Sequence, residues 1–143
     1  MLESSEIFFE SYGLIGLFLI CFLAATILPF SSELILLYFL SLEQFDPLTL
    51  LLIASLGNCL GGTTNYFLGY YGNKIFLKKV NFQNKFLIQF QKYGFYGAFF
   101  SWIPFIGDPL LIALGFLKTA LWLTFFFMCF GKILRYAVLI YFY

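Results

Sequence analysis

Four long apolar stretches, separated by short polar segments, make up most of the chain. They run from Leu14 to Leu42, from Leu48 to Tyr71, from Phe95 to Leu117 and from Leu121 to Tyr143. The second and fourth contain no proline and would each form a helix roughly 35 Å long. Because the hydrocarbon core of a bilayer is about 30 Å thick, we predict that these two stretches span a membrane.

The first and third stretches are each interrupted near the centre by proline and polar residues. Pro29 interrupts the first, and Pro104 and Pro109 flank Phe105–Asp108 in the third. Proline removes helical hydrogen bonds, and each remaining arm is too short to cross the bilayer. Irregular backbone at membrane depth must be buried in protein or line a wet cavity. We therefore predict two re-entrant helical hairpins.

The two halves of the chain repeat one pattern. Pro29 and Pro104 are each followed four residues later by an acid, Glu33 or Asp108, and 28 or 27 residues later by a glycine. Discontinuous segments at matching positions are typical of transporters with inverted repeats. The predicted fold is an all-α polytopic membrane protein, an inverted repeat of two re-entrant hairpins, each followed by a transmembrane helix.

We expect a single domain over residues 1–143, with a first half (1–71), a basic connector (72–94) and a second half (95–143). The connector carries five lysines: Lys74, Lys78, Lys79, Lys85 and Lys92. The positive-inside rule places this connector in the cytoplasm. Its Phe and Leu residues recur near helical spacing, which fits an interfacial helix attracted to anionic lipids or, equally, a connector that caps the bundle.

Composition narrows the possible functions. The chain is 62% hydrophobic and 10% charged, whereas soluble proteins are roughly one quarter charged, so we expect it to reside in lipid. A net charge of +1 argues against a nucleic-acid partner. The chain lacks His and its three cysteines show no paired spacing, so we expect no metal, no cofactor, no catalytic residues and no enzymatic activity. Acids before the first apolar stretch argue against a cleaved signal peptide.

Four charged residues lie within the apolar stretches: Glu33, Asp108, Lys132 and Arg135. Ionisable groups inside a membrane are costly and therefore candidates for function. We interpret the two acids as coupling groups for protons or sodium ions and the two bases as anion-binding groups or charge partners. The alternative is that the four residues form ion pairs that only hold the two halves together.

Polar and small residues at the proline breaks and along the spanning stretches complete the candidate site. The predicted hairpin tips contain Pro29, Ser31, Ser32, Pro104, Gly107 and Pro109. Half-helices starting there, at Ser31–Ser32 and at Leu110, would offer free backbone N–H groups to an anion. One face of the second stretch carries Asn58, Gly61, Gly62 and Asn65, which either line the site or serve ordinary packing.

A remote alternative is an intramembrane hydrolase in which Glu33 and Asp108 form a carboxylate dyad. Gly107–Asp108 is similar to the end of the Gly-x-Gly-Asp element of intramembrane aspartyl proteases. Phe105 stands where the first glycine should be, and no matching Tyr-Asp pair occurs.

Five segments occur in order along the chain: ATILPFSSE (25–33), GNCLGGTTNYFLG (57–69), KYG (92–94), SWIPFIGD (101–108) and GKILRY (131–136). This ordered set resembles the DedA family of membrane proteins, also called the VTT or SNARE-associated domain family, and most closely its short YqaA-type branch. The resemblance implies two facing re-entrant hairpins, residence in the bacterial inner membrane and gradient-coupled movement of lipid carriers such as undecaprenyl phosphate. The family carries arginines where this chain has Ser101 and Gly107, and tends to carry an acid at Gly62.

We therefore expect a transporter, flippase or scramblase for a lipid-linked anion, such as a polyprenyl phosphate or a phospholipid. Its expected partners are membrane lipids, protons or sodium ions and, to help bury the hairpins, a second copy of the chain. The alternative is a non-transporting structural membrane protein that stabilises the envelope or recruits a partner.

Overall fold

A computed structural model of the chain describes residues 2–26, 31–76, 85–104 and 106–143. Helices make up nearly all of this described part, and it contains no strand. The α-helices are α1 (Leu2–Ala24), α2 (Ser32–Ser41), α3 (Pro47–Phe76), α4 (Lys85–Tyr93), α5 (Gly107–Phe116) and α6 (Leu121–Phe142). A 3-10 helix, Gly94–Trp102, connects α4 to the turn before α5. The prediction of an all-α fold is confirmed.

Two of the described helices are long and apolar enough to cross a membrane. They are the Pro47–Asn73 part of α3, which has 27 residues, and the whole of α6, which has 22. Both coincide with the stretches predicted to span. The ten-residue helices α2 and α5 would each cover only about 15 Å, half of a hydrocarbon core.

The first interrupted stretch forms a helical hairpin. Helix α1 ends at Ala24, and α2 begins at Ser32. A Cβ on Gly13, in the middle of α1 and eleven residues before its end, would lie 3.6 Å from the ring of Phe39, seven residues after the start of α2, so the chain reverses and the two helices run antiparallel. The predicted tip residue Pro29 lies outside the described residues. Helix α1 starts at Leu2, twelve residues before the apolar stretch, and its re-entrant course through a membrane remains a prediction.

The second interrupted stretch also turns back on itself. A Cβ on Gly94 would lie 3.5 Å from the Leu114 side chain, and Gly107 abuts the backbone of Ser101, so the 3-10 helix and α5 run antiparallel. Helix α5 begins at Gly107, three residues earlier than expected. The expectation of a start at Leu110 was wrong because Pro109 fits within the first helical turn, where its missing N–H costs no hydrogen bond.

The two short helices have matching local structure. Helices α2 and α5 each contain ten residues, and the acids Glu33 and Asp108 are the second residue of each. Ten residues after each acid, Glu43 and Lys118 adopt positive φ angles of 52° and 54°. A non-glycine residue in this left-handed conformation ends a helix. The repeated sequence pattern therefore corresponds to two short helices that begin and end at matching positions.

The chain divides into two compact units. The first unit comprises Met1–Gly61 with Ile133–Tyr143, and the second comprises Gly62–Lys132. The core of the first unit contains Leu17, Cys21, Leu36, Leu40, Leu50, Ala54 and Tyr136. Buried side chains of the second unit include Ala98, Leu111, Leu114 and Met128.

Candidate functional site

In the first unit, the acid at the start of α2 pairs with a base on α6. Arg135 Nε lies 3.4 Å from Glu33 Oε1. The Glu33 side chain is 26% exposed and that of Arg135 is 14% exposed. Ser31, immediately before α2, donates its hydroxyl to the other carboxylate oxygen of Glu33 at 3.4 Å. Ser31, a predicted tip residue, and Arg135, a predicted charge partner, therefore both contact the carboxylate of Glu33.

A buried group of polar side chains adjoins this pair. We call it the Ser32 cluster, and it contains Ser32, Asn58 and Tyr136. Asn58 Nδ2 donates to the hydroxyls of Ser32, at 3.3 Å, and of Tyr136, and these two hydroxyls lie 2.7 Å apart. Arg135 also donates to Ser32, at 3.4 Å. The cluster therefore ties the start of α2 to both α3 and α6.

Close packing of α1 against α3 places Asn58 in this cluster. A Cβ on Gly57 would lie 2.5 Å from the Phe18 carbonyl oxygen, and one on Gly61 would lie 2.6 Å from the Ala25 Cβ. The two glycines are one helical turn apart, and any larger residue at either position would force α1 away. In the first unit, Gly57 and Gly61 therefore allow the close approach of α3 to the first helical segment.

In the second unit, the acid at the start of α5 also pairs with a base on α6. Lys132 Nζ lies 3.1 Å from Asp108 Oδ1. Lys132 is only 2% exposed, whereas Asp108 is 34% exposed. A Cβ on Gly62 would lie 3.0 Å from Lys132 Nζ and 2.6 Å from Met128 Sδ. The absence of a side chain at Gly62 thus leaves room for the buried ammonium group.

The α5 helix that carries Asp108 is held tightly against α3. Gly69 meets the carbonyl oxygen of Ile112, and Gly115 meets the carbonyl oxygen of Tyr66, so the two backbones touch reciprocally. Beyond the end of α5, the Tyr66 hydroxyl donates to the Thr119 carbonyl oxygen. Asn73 donates to the carbonyl of Phe116, the last residue of α5. Helix α5 is therefore fixed along its length and at its C-terminal end.

Several other predicted site residues are buried, as their assignment to helix faces requires. Asn65, Gly61 and Gly62 are buried on α3, and Gly107 is buried at the start of α5. Pro104 and Pro109 are exposed. On α6, the buried positions include Thr124, Met128, Gly131, Lys132 and Tyr136, which lie on one face of this helix.

Sequence reasoning did not assign the buried hydroxyl groups of Tyr136 and Ser101 to the candidate site. Tyr136 was not predicted as a site residue, although it follows Lys132 by four residues and so shares its helix face. Among the described residues, the buried hydroxyl of Ser101 has no hydrogen-bond partner. Ser101 contacts Gly107 at the turn into α5.

Comparisons with known proteins identify similar chains. The VTT domain family matches residues 28–143. The chain is 38% identical over 128 residues to the inner membrane protein YqaA of Escherichia coli (strain K12), covering 89% of this chain and 88% of that protein. It is also 34% identical over 142 residues to a Haemophilus influenzae protein described as uncharacterized, covering 94% of this chain and 89% of that protein. No solved structure gives a significant match.

Proposed function

Because the chain belongs to the VTT-domain, or DedA, family of membrane proteins, we propose that it moves a lipid-linked anion across the bacterial inner membrane. The cargo is a lipid with a phosphate head group, such as a polyprenyl phosphate or a phospholipid. Movement of the cargo is coupled to protons or sodium ions through Glu33 and Asp108. The name of the E. coli relative, an inner membrane protein, supports the location.

The observation that carries this proposal is that each acid within the predicted hairpins pairs with a more deeply buried base. Lys132 is 2% exposed against 34% for Asp108, and Arg135 is 14% exposed against 26% for Glu33. An uncompensated charge in a membrane interior is costly. If a phosphate group replaces the carboxylate as the ion-pair partner of Arg135 or Lys132, the positive charge of that base stays paired. The displaced carboxylate is then compensated by a proton or a sodium ion.

The matched local structure of α2 and α5 supports the finer architecture. We propose that α1–α2 and the 3-10 helix with α5 are re-entrant hairpins of an inverted repeat. Both short helices are too short to span the bilayer, and both carry the acid at the same position. The connector between the halves, with its five lysines, then lies on the cytoplasmic side.

The test is transport by purified protein in liposomes. Lipid translocation is followed with a fluorescent lipid phosphate under an imposed proton or sodium gradient. Glu33→Gln and Asp108→Asn should each lower gradient-driven translocation at least tenfold, because each removes a group that exchanges with the cargo. Glu43→Gln is the matched control, since Glu43 is an exposed acid after α2. Transport at the wild-type rate by both variants, at equal protein levels, would refute the coupling role.

A second candidate function is structural, with ion pairs that only hold helices together. The tie between Glu33, Ser32 and α6 favours it, because a buried polar network rigidifies a fold whether or not anything is transported. Exchanging the charges, by Glu33→Arg together with Arg135→Glu, separates the candidates. Recovered stability without transport supports the structural function, whereas recovery of both supports exchange at this pair.

We do not propose hydrolase activity. A carboxylate dyad needs two carboxylates that share a proton. Here each carboxylate has a base as its ion-pair partner, Arg135 for Glu33 and Lys132 for Asp108.

A further inference from the structure

Helix α4 carries basic charge without acidic neighbours in the sequence. The 61 residues from 47 to 107 contain neither Asp nor Glu. Lys85 and Lys92 lie two helical turns apart on α4, and both are exposed. A cationic surface of this kind complements an anionic partner.

Exposed aromatic residues lie beside these lysines on the same short helix. Helical spacing places Lys85, Gln89 and Lys92 on one face and Phe90 with Tyr93 on the next. Phe90 is 44% exposed and Tyr93 is 54% exposed. The Lys92 ammonium group lies 5.4 Å from the centre of the Tyr93 ring. Thus α4 presents a cationic strip next to an exposed aromatic strip.

We propose that α4 docks along the bilayer surface and binds the head groups of anionic phospholipids. Lys85 and Lys92 contact the lipid phosphates, and Phe90 and Tyr93 enter the boundary between head groups and acyl chains. Basic residues beside aromatic residues on one amphipathic helix are the pattern of interfacial membrane helices. This proposal does not depend on transport, because it concerns residues other than those of the two ion pairs.

The position of α4 in the chain favours a membrane over a soluble anion. Helix α3, one of the two apolar helices long enough to span, ends at Phe76, and α4 begins at Lys85. The intervening segment can bridge at most roughly 30 Å even when fully extended. Such a tether keeps α4 close to the bilayer and gives weak lipid contacts a high effective concentration.

The experiment measures which lipid lies next to α4. The variant Phe90→Trp, combined with Trp102→Phe and Trp122→Phe, provides one indole on the proposed lipid-facing strip. The protein is placed in nanodiscs of mixed phosphatidylcholine and phosphatidylglycerol, with bromine on the acyl chains of one lipid or the other. We expect brominated phosphatidylglycerol to quench the indole more strongly at equal mole fraction. Raising the salt concentration should weaken this preference, because salt screens exposed charges.

Substitution of Lys85 and Lys92 tests whether these lysines cause the preference for phosphatidylglycerol. Lys85→Gln with Lys92→Gln should abolish the preference, with a loss of roughly fivefold in local enrichment for each lysine. Lys85→Arg with Lys92→Arg should retain it. Lys118→Gln, at an exposed lysine outside α4, is the matched control and should also retain it.

Three results would overturn the proposal. The first is equal quenching by the two brominated lipids, and the second is a preference that persists without Lys85 and Lys92. The third is loss of the preference in inorganic phosphate but not in chloride at the same ionic strength, which would identify a soluble anion as the ligand. Each result is independent of whether Glu33 and Asp108 support transport.

Discussion

Lys132 and Asp108 form an ion pair whose two members differ sharply in burial. Their charged atoms lie 3.1 Å apart, yet Lys132 is almost completely enclosed while about one third of Asp108 is accessible. Lys132 Nζ and Met128 Sδ both lie close to Gly62, within 3.0 Å of where a Cβ would stand. The lysine is thus the enclosed member of the pair, and the aspartate is the accessible member.

Removing the aspartate should cost more stability than removing the lysine. Asp108→Ala leaves an enclosed ammonium group without its carboxylate, and we expect it to lower the free energy of unfolding by about 3 kcal/mol. Lys132→Met should cost less, because Asp108 remains accessible and Met fills the enclosed space. Thermal unfolding of the purified protein in detergent measures both variants. A larger loss for Lys132→Met would contradict the assignment of Lys132 as the enclosed member.

Glycines at the contact between α3 and α5 should tolerate no side chain. Gly69→Ala and Gly115→Ala each place a Cβ against a backbone carbonyl of the facing helix, so we expect severe loss of folded protein. Gly72→Ala, on the same helix as Gly69, has nothing within 4 Å of the added atom. It should be neutral or stabilise by up to about 1 kcal/mol, through higher helix propensity. Size-exclusion yield and melting temperature distinguish these outcomes, and equal effects at Gly69 and Gly72 would argue against the close contact.

The Tyr136 hydroxyl should contribute measurably to stability. Tyr136→Phe removes the group that joins Ser32 and Asn58, and because all three side chains are buried we expect a loss of about 1–3 kcal/mol. Tyr141→Phe is the control, since Tyr141 lies on the same helix and is 84% exposed. Chemical unfolding monitored by far-UV circular dichroism should separate the two variants, and indistinguishable midpoints would count against the Ser32 cluster.

Glycine should be favourable where α2 ends. Glu43 has a φ of 52°, a conformation that costs an ordinary L-residue about 1 kcal/mol or more. Glu43→Gly should therefore raise the melting temperature, and Glu43→Val should lower it. Lys118→Gly should gain less, because it also loses the contact of Lys118 Nζ, at 5.7 Å, with the Tyr70 ring. A destabilising effect of Glu43→Gly would show that the left-handed conformation does not form in solution.

Helix lengths and breaks could be predicted from the sequence because each follows from local physics. The two uninterrupted apolar stretches, 48–71 and 121–143, correspond to α3 and α6. Proline and polar residues correctly marked the two interruptions. The equal spacing of Glu33 and Asp108 from their prolines matches their equal position in α2 and α5, although the expected start of α5 at Leu110 would have left Asp108 outside that helix.

Pairing partners could not be predicted, because they depend on tertiary packing. The sequence offered two acids and two bases, and nothing local distinguishes Glu33 with Arg135 from Glu33 with Lys132. Tyr136 was missed since an aromatic side chain in an apolar helix is usually read as packing. The start of α5 was placed too late because proline was treated as a boundary, although the first turn of a helix accommodates it.

The reciprocal contacts of Gly69 and Gly115 limit how the second hairpin can move. If α5 slid along α3 by a single residue, the side chain of a neighbouring residue such as Leu68 or Tyr70 would collide with the opposing main chain. We therefore expect α3 and α5 to move together as one rigid body. A hinge within the second hairpin is then expected before Gly107, in the 3-10 helix Gly94–Trp102.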